Sequence, residues 1–336
     1  MTNIRIHALI PAADATSYYR GSGPLNALRK SMRKTVHIEV NQPNVVDWST
    51  QSDCDLMFLQ RPCLGKHLTI AQITKQCRTP LWLDFDDDLF NLTVDNPCAA
   101  TYGNEKIQSN IRKMLELADV VTVSTQAIKD TMQPMTHALV VVIPNAWDDN
   151  LRPWTDPMSS RTNRCLWRGS ATHCRDVLSV AHHIHDTAEL FSDWKFAFMG
   201  WEPFMITDKK IGAEIYPKMD ILEYVDKLRE MAGQILYVPL HESQFNKAKS
   251  NCAWLEASYA GYAVLAPEFP EWERPGITVY KGPDDFGQCL QEMLKTPWSQ
   301  LKERVDASRE FIHDHLLLSK VNQLRFAVIE RLLAGS

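Results

Sequence analysis

The chain has 336 residues, with 36 Lys plus Arg against 41 Asp plus Glu and a formal net charge of −5. Hydrophobic content of 45% and charged content of 23% are globular values, and the length suits two domains of ordinary size with a sizeable core. The acid excess argues against a broad basic surface for nucleic acid, although a local basic groove is compatible with it.

The opening MTNIRIHALIPAAD is too polar, and its apolar part too short, for a signal peptide. No apolar run reaches membrane-spanning length. Eight cysteines, at 54, 63, 77, 98, 165, 174, 252 and 289, are scattered without a CxxC pair. Reduced thiols and a cytoplasmic location are therefore expected.

In chain order, residues 4–10 alternate as a strand and turn at Pro11, and residues 25–32 read as a helix. Strands follow at 36–40 and 56–59, a helix at 68–77 and a strand at 80–85. Ile107, Ile111, Met114 and Leu115 mark a helix over 107–117. Strands close the first half at 119–124 and 139–143. The stretch 154–163, WTDPMSSRTN, is polar, aperiodic and proline-containing, which makes it the linker candidate. A second alternation places strands at 165–167, 195–199, 235–239, 263–265 and 277–280. Helices are expected at 175–190, 221–231, 251–260, 286–294 and from Trp298 onward. Strands alternating with helices predict an α/β chain of two doubly wound parallel sheets, with ligands at the carboxyl ends of the strands. The expected domains are 1–153, 154–310 and a C-terminal helix, 311–336, packing back on the first domain.

Five motifs carry chemistry. Tyr18-Tyr19-Arg20-Gly21-Ser22-Gly23-Pro24 follows the first strand. Its glycines, Gly21 and Gly23, would let the backbone approach a ligand, or they mark a tight turn. It is not a GxGxxG fingerprint, since Asn26 stands at the third position. In Leu83-Asp84-Phe85-Asp86-Asp87-Asp88-Leu89, four carboxylates crowd five residues. A cation, a basic partner or raised pKa values would relieve them, and a helix N-terminus would too. Asp86 or Asp87 is expected to face the cleft. Ile143-Pro144-Asn145-Ala146-Trp147-Asp148 reads as a hinge turn. In Trp167-Arg168-Gly169-Ser170-Ala171-Thr172-His173, Arg168 could clamp a diphosphate, with Gly169 and Ser170 admitting it.

The fifth motif is the unit 235–269, a strand, polar turn, helix and strand. Lys247 and Lys249 would neutralise phosphates, Ser250 can cap the helix, and Glu256 could accept both hydroxyls of a ribose. His182, His183 and His185 are expected on different helix faces, so no metal site is read there. Of the ten tryptophans, Trp82, Trp147, Trp167, Trp201 and Trp272 fall near presumed cleft positions; packing is favoured over stacking on a ligand.

These residues resemble GT-B glycosyltransferases of the retaining family-four type. The resemblance rests on the Arg168-Gly169 turn, Phe245-Asn246-Lys247 with Lys249-Ser250, Glu256, and the Gly261 break before Ala263-Val264-Leu265-Ala266. It covers most of the chain as an architecture but is specific over about 40 residues. FNxxKSxxxxLE together with DFDDDLF looks most like enzymes encoded by tailed bacteriophages and related bacterial sequences, some acting on modified DNA bases and others on surface glycans.

The resemblance implies two Rossmann-like domains facing a cleft and a UDP- or GDP-linked sugar as substrate, with no cofactor and no metal. Glu256 would take the ribose. Arg168 and Lys249 would take the diphosphate, with Asn246, Lys247 and Ser250 beside them. Gly23 would lie near the donor phosphate or the acceptor, and Asp86 or Asp87 would position or deprotonate an acceptor hydroxyl. Two departures are visible. The family's second Glu, separated from the ribose Glu by seven intervening residues, is replaced by Ala248. The family's lysine shortly after the arginine is missing, its region being occupied by His173 and Arg175. A DNA acceptor would call for a basic groove from Arg20, Arg29, Lys30, Arg33 and Lys34. A surface-glycan transferase, a nucleotide-sugar epimerase and a non-catalytic sugar-nucleotide module are the rival functions; oligomeric state is left open.

Overall fold

The computed structural model describes residues 4–12, 14–31, 54–204 and 212–334, together with the backbone of 36–41. In the first half, strands β1 (Ile4–Leu9), β2 (Val36–Asn41), β3 (Leu56–Gln60), β4 (Leu81–Phe85), β5 (Val120–Val123) and β6 (Leu139–Val142) form one sheet in the order β2-β1-β3-β4-β5-β6. Helices α1 (Ala15–Ser17), α2 (Gly23–Ser31), α3 (Gly65–Gln76), α4 (Ala99–Tyr102), α5 (Glu105–Leu117) and α6 (Gln126–Met132) connect them.

The second half contributes β7 (Thr162–Gly169), β8 (Lys195–Gly200), β9 (Glu214–Pro217), β10 (Gly233–Tyr237), β11 (Ala263–Pro267) and β12 (Ile277–Tyr280), in the order β12-β11-β10-β7-β8-β9. Its helices are α7 (Cys174–Leu178), α8 (Ala181–Leu190), α9 (Ile221–Met231), α10 (Gln244–Lys247), α11 (Cys252–Ala260), α12 (Gly282–Lys295), α13 (Trp298–His315) and α14 (Leu318–Ala334). Every strand pairing in both sheets is parallel.

The central strands β3, β4, β5, β10 and β11 are buried at every position, as strands covered on both faces must be. In each sheet the strand order reverses once, at β1/β3 and at β7/β10. Those reversals open the crevices where doubly wound sheets bind ligands. Residues 153–161 form neither helix nor strand. They are nonetheless anchored: Arg309 lies over the Trp154 ring and donates to the Thr155 carbonyl. One apolar cluster runs through both halves, from Ile6 and Leu25 through Trp147 and Leu166 to Trp254 and Val321. Helix α14 packs on α2, where the Asn322 amide donates to the Pro24 carbonyl at 3.0 Å.

Three expectations need correction. The single helix over 175–190 breaks into α7 and α8, because the Ser179 hydroxyl turns back to the Asp176 carbonyl at 2.7 Å and competes with the helical ladder. β9 gave no signal in the sequence, being four residues at a sheet edge without buried positions; the Arg164–Glu214 pair holds it. The expected glycine loop at 18–24 is a π-helical turn, Tyr18–Ser22, running straight into α2.

Candidate functional site

The two crevices face each other across an open cleft of about 930 Å³ including its solvent-filled mouth. The first half supplies Ala15, Thr16, Tyr19, Arg20, Asp86, Asp87 and Asn145. The second supplies Trp167, Arg168, His173, Leu236, Val238, Pro239, Leu240, Lys249, Ser250, Cys252, Ala253, Glu256 and Trp272. The predicted residues Asp86, Asp87, Arg168, Lys249, Ser250 and Glu256 are thus brought together, from the ends of β4 and β7 and from the segment around α11.

Glu256 sits within α11, 2% exposed. A carboxylate so placed needs full compensation, and three groups give it. Arg168 Nη2 pairs with Oε2 at 2.7 Å, Tyr224 OH donates to Oε2 at 3.0 Å, and Tyr19 OH donates to Oε1 at 3.0 Å. Burial, reinforced by the Glu256 charge, pushes both phenols well above their usual range, so they stay neutral donors. Tyr19 belongs to the first half, so this carboxylate ties the halves together.

On the opposite wall, Arg61 grips Asp86 with two nitrogens and reaches Asp87 Oδ2 at 2.9 Å. Arg61 holds φ +45°, a left-handed conformation rare for a non-glycine residue. Lys249 Nζ crosses the cleft to Asp87 Oδ1 at 2.8 Å. Burial pushes the Asp86 carboxyl up despite Arg61. For Asp87 burial acts the same way, but Lys249 and Arg61 together outweigh it and hold the carboxyl at about 2. The acidic run therefore divides its labour. Asp84 is buried under Arg20, Asp86 and Asp87 line the cleft, and Asp88 braces its own loop by accepting from Asn91 and Thr131.

A buried chain of hydrogen bonds joins four of the sequence motifs. Arg20, 1% exposed, forms a two-pronged pair with Asp84 at 2.7 and 3.0 Å, and its Nη1 reaches the Ile143 carbonyl (2.6 Å) and Asn145 Oδ1 (3.2 Å). Asn145 Nδ2 in turn donates to Ser250 Oγ at 2.9 Å and Cys252 Sγ at 3.0 Å. The Cys252 thiol is pushed up to about 12 by burial and by Glu256. The segment read as a hinge turn thus places Asn145 in the cleft wall, on the seam between the halves.

Several predicted residues do not reach the cleft. Lys247 is half exposed and pairs with Glu242. Asn246 is buried and donates to Asp176 and the His241 carbonyl, because it caps an internal polar cluster. Gly21 and Gly23 lie inside the helical turn; a Cβ on Gly21 would meet Gln60 and Ile10, and one on Gly23 the Tyr18 carbonyl. Their role is close packing. Gly169 ends β7 against the Trp167 ring, and Ser170 caps the turn Ala171–His173, so neither lines the cavity. Ala248 is buried, and its carbonyl accepts from Thr125 at 3.0 Å across the seam.

Arg20 is withdrawn from any basic groove by its burial. Arg29 and Lys30 are exposed on the last turn of α2, and Arg33 and Lys34 lie outside the described residues. The expected separation of His182 and His183 does not hold. Their ring centroids lie 3.7 Å apart with the planes tilted by 41°, and with Asp284 their ligand atoms lie within 4.8 Å of one another, outside the cleft lining; His185 does not join them. Trp82 and Trp147 are core residues, whereas Trp167 and Trp272 are buried and also line the cavity. Sequence reasoning missed Tyr19, Tyr224, Asn145, His173 and Arg61 as site residues. Tyr19 stood inside a quoted motif, next to the β1 crevice, and that position was the available signal. Tyr224, on α9, gave none.

No protein-family model matches the chain, and no curated protein matches it in sequence. Solved structures do match its shape. An alpha-glucosyltransferase in complex with UDP-glucose and DNA containing an abasic site is 13% identical, with a TM-score of 0.65 over 98% of this chain and 99% of that one. Anabaena Alr3699/HepE, in complex with UDP and glucose, is 14% identical, with a TM-score of 0.64 over 98% and 100%. A Listeria monocytogenes protein assigned as a UDP-N-acetylglucosamine 2-epimerase is 11% identical, with a TM-score of 0.64 over 100% and 98%. At such identities the likeness establishes the fold alone: two Rossmann-like domains in the GT-B arrangement. Among the described residues no helix is long and apolar enough to cross a membrane.

Proposed function

We propose that the protein is a glycosyltransferase that moves a sugar from a nucleotide-sugar donor to an acceptor hydroxyl. The observation that carries the reading is the charge layout of the cleft. Two cations, Arg168 and Lys249, flank the end of β7 and the start of α11, with the buried Glu256 beyond them and the carboxylates Asp86 and Asp87 facing them. A nucleoside diphosphate fits that order. The diphosphate lies against Arg168 and Lys249, with Ser250 beside it, and the ribose diol replaces phenol donors on Glu256.

The donor is a UDP- or GDP-linked sugar, and the UDP carried by two similar structures supports the former. As the anomeric carbon–oxygen bond breaks, negative charge grows on the departing diphosphate, and the two preorganised cations lower its energy. This step needs no metal ion and no further cofactor. Asp86, whose carboxyl is pushed up by burial, is the better proton acceptor for the attacking hydroxyl; Asp87, held at about 2, instead positions Lys249.

The resemblance to family-four enzymes supports retention of the anomeric configuration. The DNA-bound alpha-glucosyltransferase supports a hydroxymethylated pyrimidine of phage DNA as acceptor, with a bacterial surface glycan as the competing one. The epimerase alternative has the Listeria likeness in its favour. Incubating the protein with UDP-glucose and UDP-N-acetylglucosamine, with and without hydroxymethylated DNA or polysaccharide, tests all of these. Transfer that requires an acceptor supports the proposal, and conversion of the free sugar nucleotide without one refutes it. Asp86→Asn should abolish transfer while leaving donor binding intact; full turnover by that variant removes Asp86 from the mechanism.

A further inference from the structure

We propose that His173 is a phosphate contact of this cleft, and one that acts only when doubly protonated, so that donor affinity falls as pH rises. The inference rests on the donor reading above. His173 ends the turn Ala171–His173 beyond the carboxyl end of β7, immediately before α7, and lines the same cavity as Arg168 and Lys249. Its Nδ1 lies 2.8 Å from Asp176 Oδ2.

Asp176, 3% exposed, is crowded with donors. Its Oδ1 accepts from the His241 backbone N–H (3.1 Å), from His241 Nδ1 (2.5 Å) and from Asn246 Nδ2 (2.7 Å). Burial alone would raise this carboxyl, but the contacts with His173 and His241 hold it below its usual range. Facing an ionised carboxylate, Nδ1 of His173 must be the donor. That choice fixes the other nitrogen. In the neutral ring Nε2 then carries a lone pair, which repels a phosphate oxygen; only the imidazolium offers an N–H on both sides.

The charged and titratable groups around the ring come from every neighbouring element. They are Asp176 on α7, His241 after β10, Arg168 on β7, Lys249 before α11, and Asp87 on the opposite wall. Arg175 turns away to Asp95 at 2.6 Å. The imidazolium therefore adds a third positive group beside Arg168 and Lys249. It hydrogen-bonds the diphosphate without giving up its proton. Asp176 is a positioning residue that acts through His173.

The test is titration calorimetry with UDP-glucose and GDP-mannose on the wild-type protein, His173→Gln and His173→Lys. The range runs from about pH 5.5 to 8.5, where histidine side chains in general change charge. The diphosphates of both probes are esterified at each end, so their own charge is constant. Wild-type affinity should fall by about tenfold over that range, the scale of one charge-assisted hydrogen bond. His173→Lys should bind as tightly as the wild type does at low pH, without the slope. His173→Gln should be uniformly weak and equally flat. A wild-type slope surviving in His173→Gln, or affinity unaltered in both variants, overturns the assignment while leaving the donor reading intact. Failure of the wild type to bind either probe at any pH overturns both.

Discussion

Glu256→Gln isolates the buried carboxylate without changing its volume. The carboxylate accepts from Tyr19, Tyr224 and Arg168. An amide has one oxygen left, and its NH₂ must face either a phenol O–H or the guanidinium, both donors. The substitution therefore removes the ion pair and strands one buried donor. Breaking a buried pair by removing one partner costs about 3–5 kcal/mol; because the Arg168 side chain keeps 26% of its exposure, the lower end applies. The same change should weaken donor binding, since the ribose diol loses a charged acceptor worth about 1.5–3 kcal/mol per hydrogen bond. Urea unfolding would read the first effect and calorimetry with UDP-glucose the second. A variant that unfolds within about 1 kcal/mol of wild type and binds UDP-glucose equally well would refute both the coupling across the seam and the ribose role.

Asp87 links stability to acid. Its carboxyl is held at about 2 against an ordinary value near 3.8. Its depressed pKa means that its contribution is complete above the unfolded value and is lost as pH falls through about 2. The shift corresponds to about 2 kcal/mol at neutral pH, so Asp87→Asn should lose that amount at pH 7 and converge with wild type near pH 2 in acid unfolding. Equal stabilities at pH 7 would contradict the pairing with Lys249 and Arg61. Arg325 points the other way. Buried in α14, with Nη1 donating to Asn322 and Nη2 without a partner among the described residues, it is pushed down to about 9 by burial and then by Arg20. Arg325→Met should be neutral or stabilising by about 1–4 kcal/mol in urea melts; a loss of stability would mean the guanidinium has a partner of real worth.

Much of the fold was readable because its signals are local. Short runs rich in apolar residues such as 81–85 and 263–267, bounded by turn residues, read as strands covered on both faces, and Gly261, at φ +84°, stops α11 where the sequence placed the break. The helix 107–117 was visible from its apolar spacing. Elements lacking a buried stripe escaped: β9 has no buried position, and nothing in 18–24 announces a π-helical turn. Among the site residues, Arg168, Lys249 and Glu256 were legible because their type and spacing follow a strand, turn and helix frame. Gly21, Gly23 and Gly169 lie off the cavity lining in close-packed positions, and a glycine that packs closely and a glycine that admits a ligand look identical in one dimension.

The sequence by itself determined the alternation of strands and helices, and with it two doubly wound sheets and a charged segment around α11, since period and propensity act between neighbours in the chain. Only the tertiary structure decided which charges meet. Arg20 is 64 residues from Asp84 and Tyr19 is 237 from Glu256, yet each pair shares a hydrogen bond. Of the four aspartates in five residues, three were sorted by the cations that burial set beside them, Arg20, Arg61 and Lys249, and the fourth, Asp88, by Asn91 and Thr131. Electrostatics in a buried cleft depend on distance and desolvation in space, and neither is written in the order of the residues.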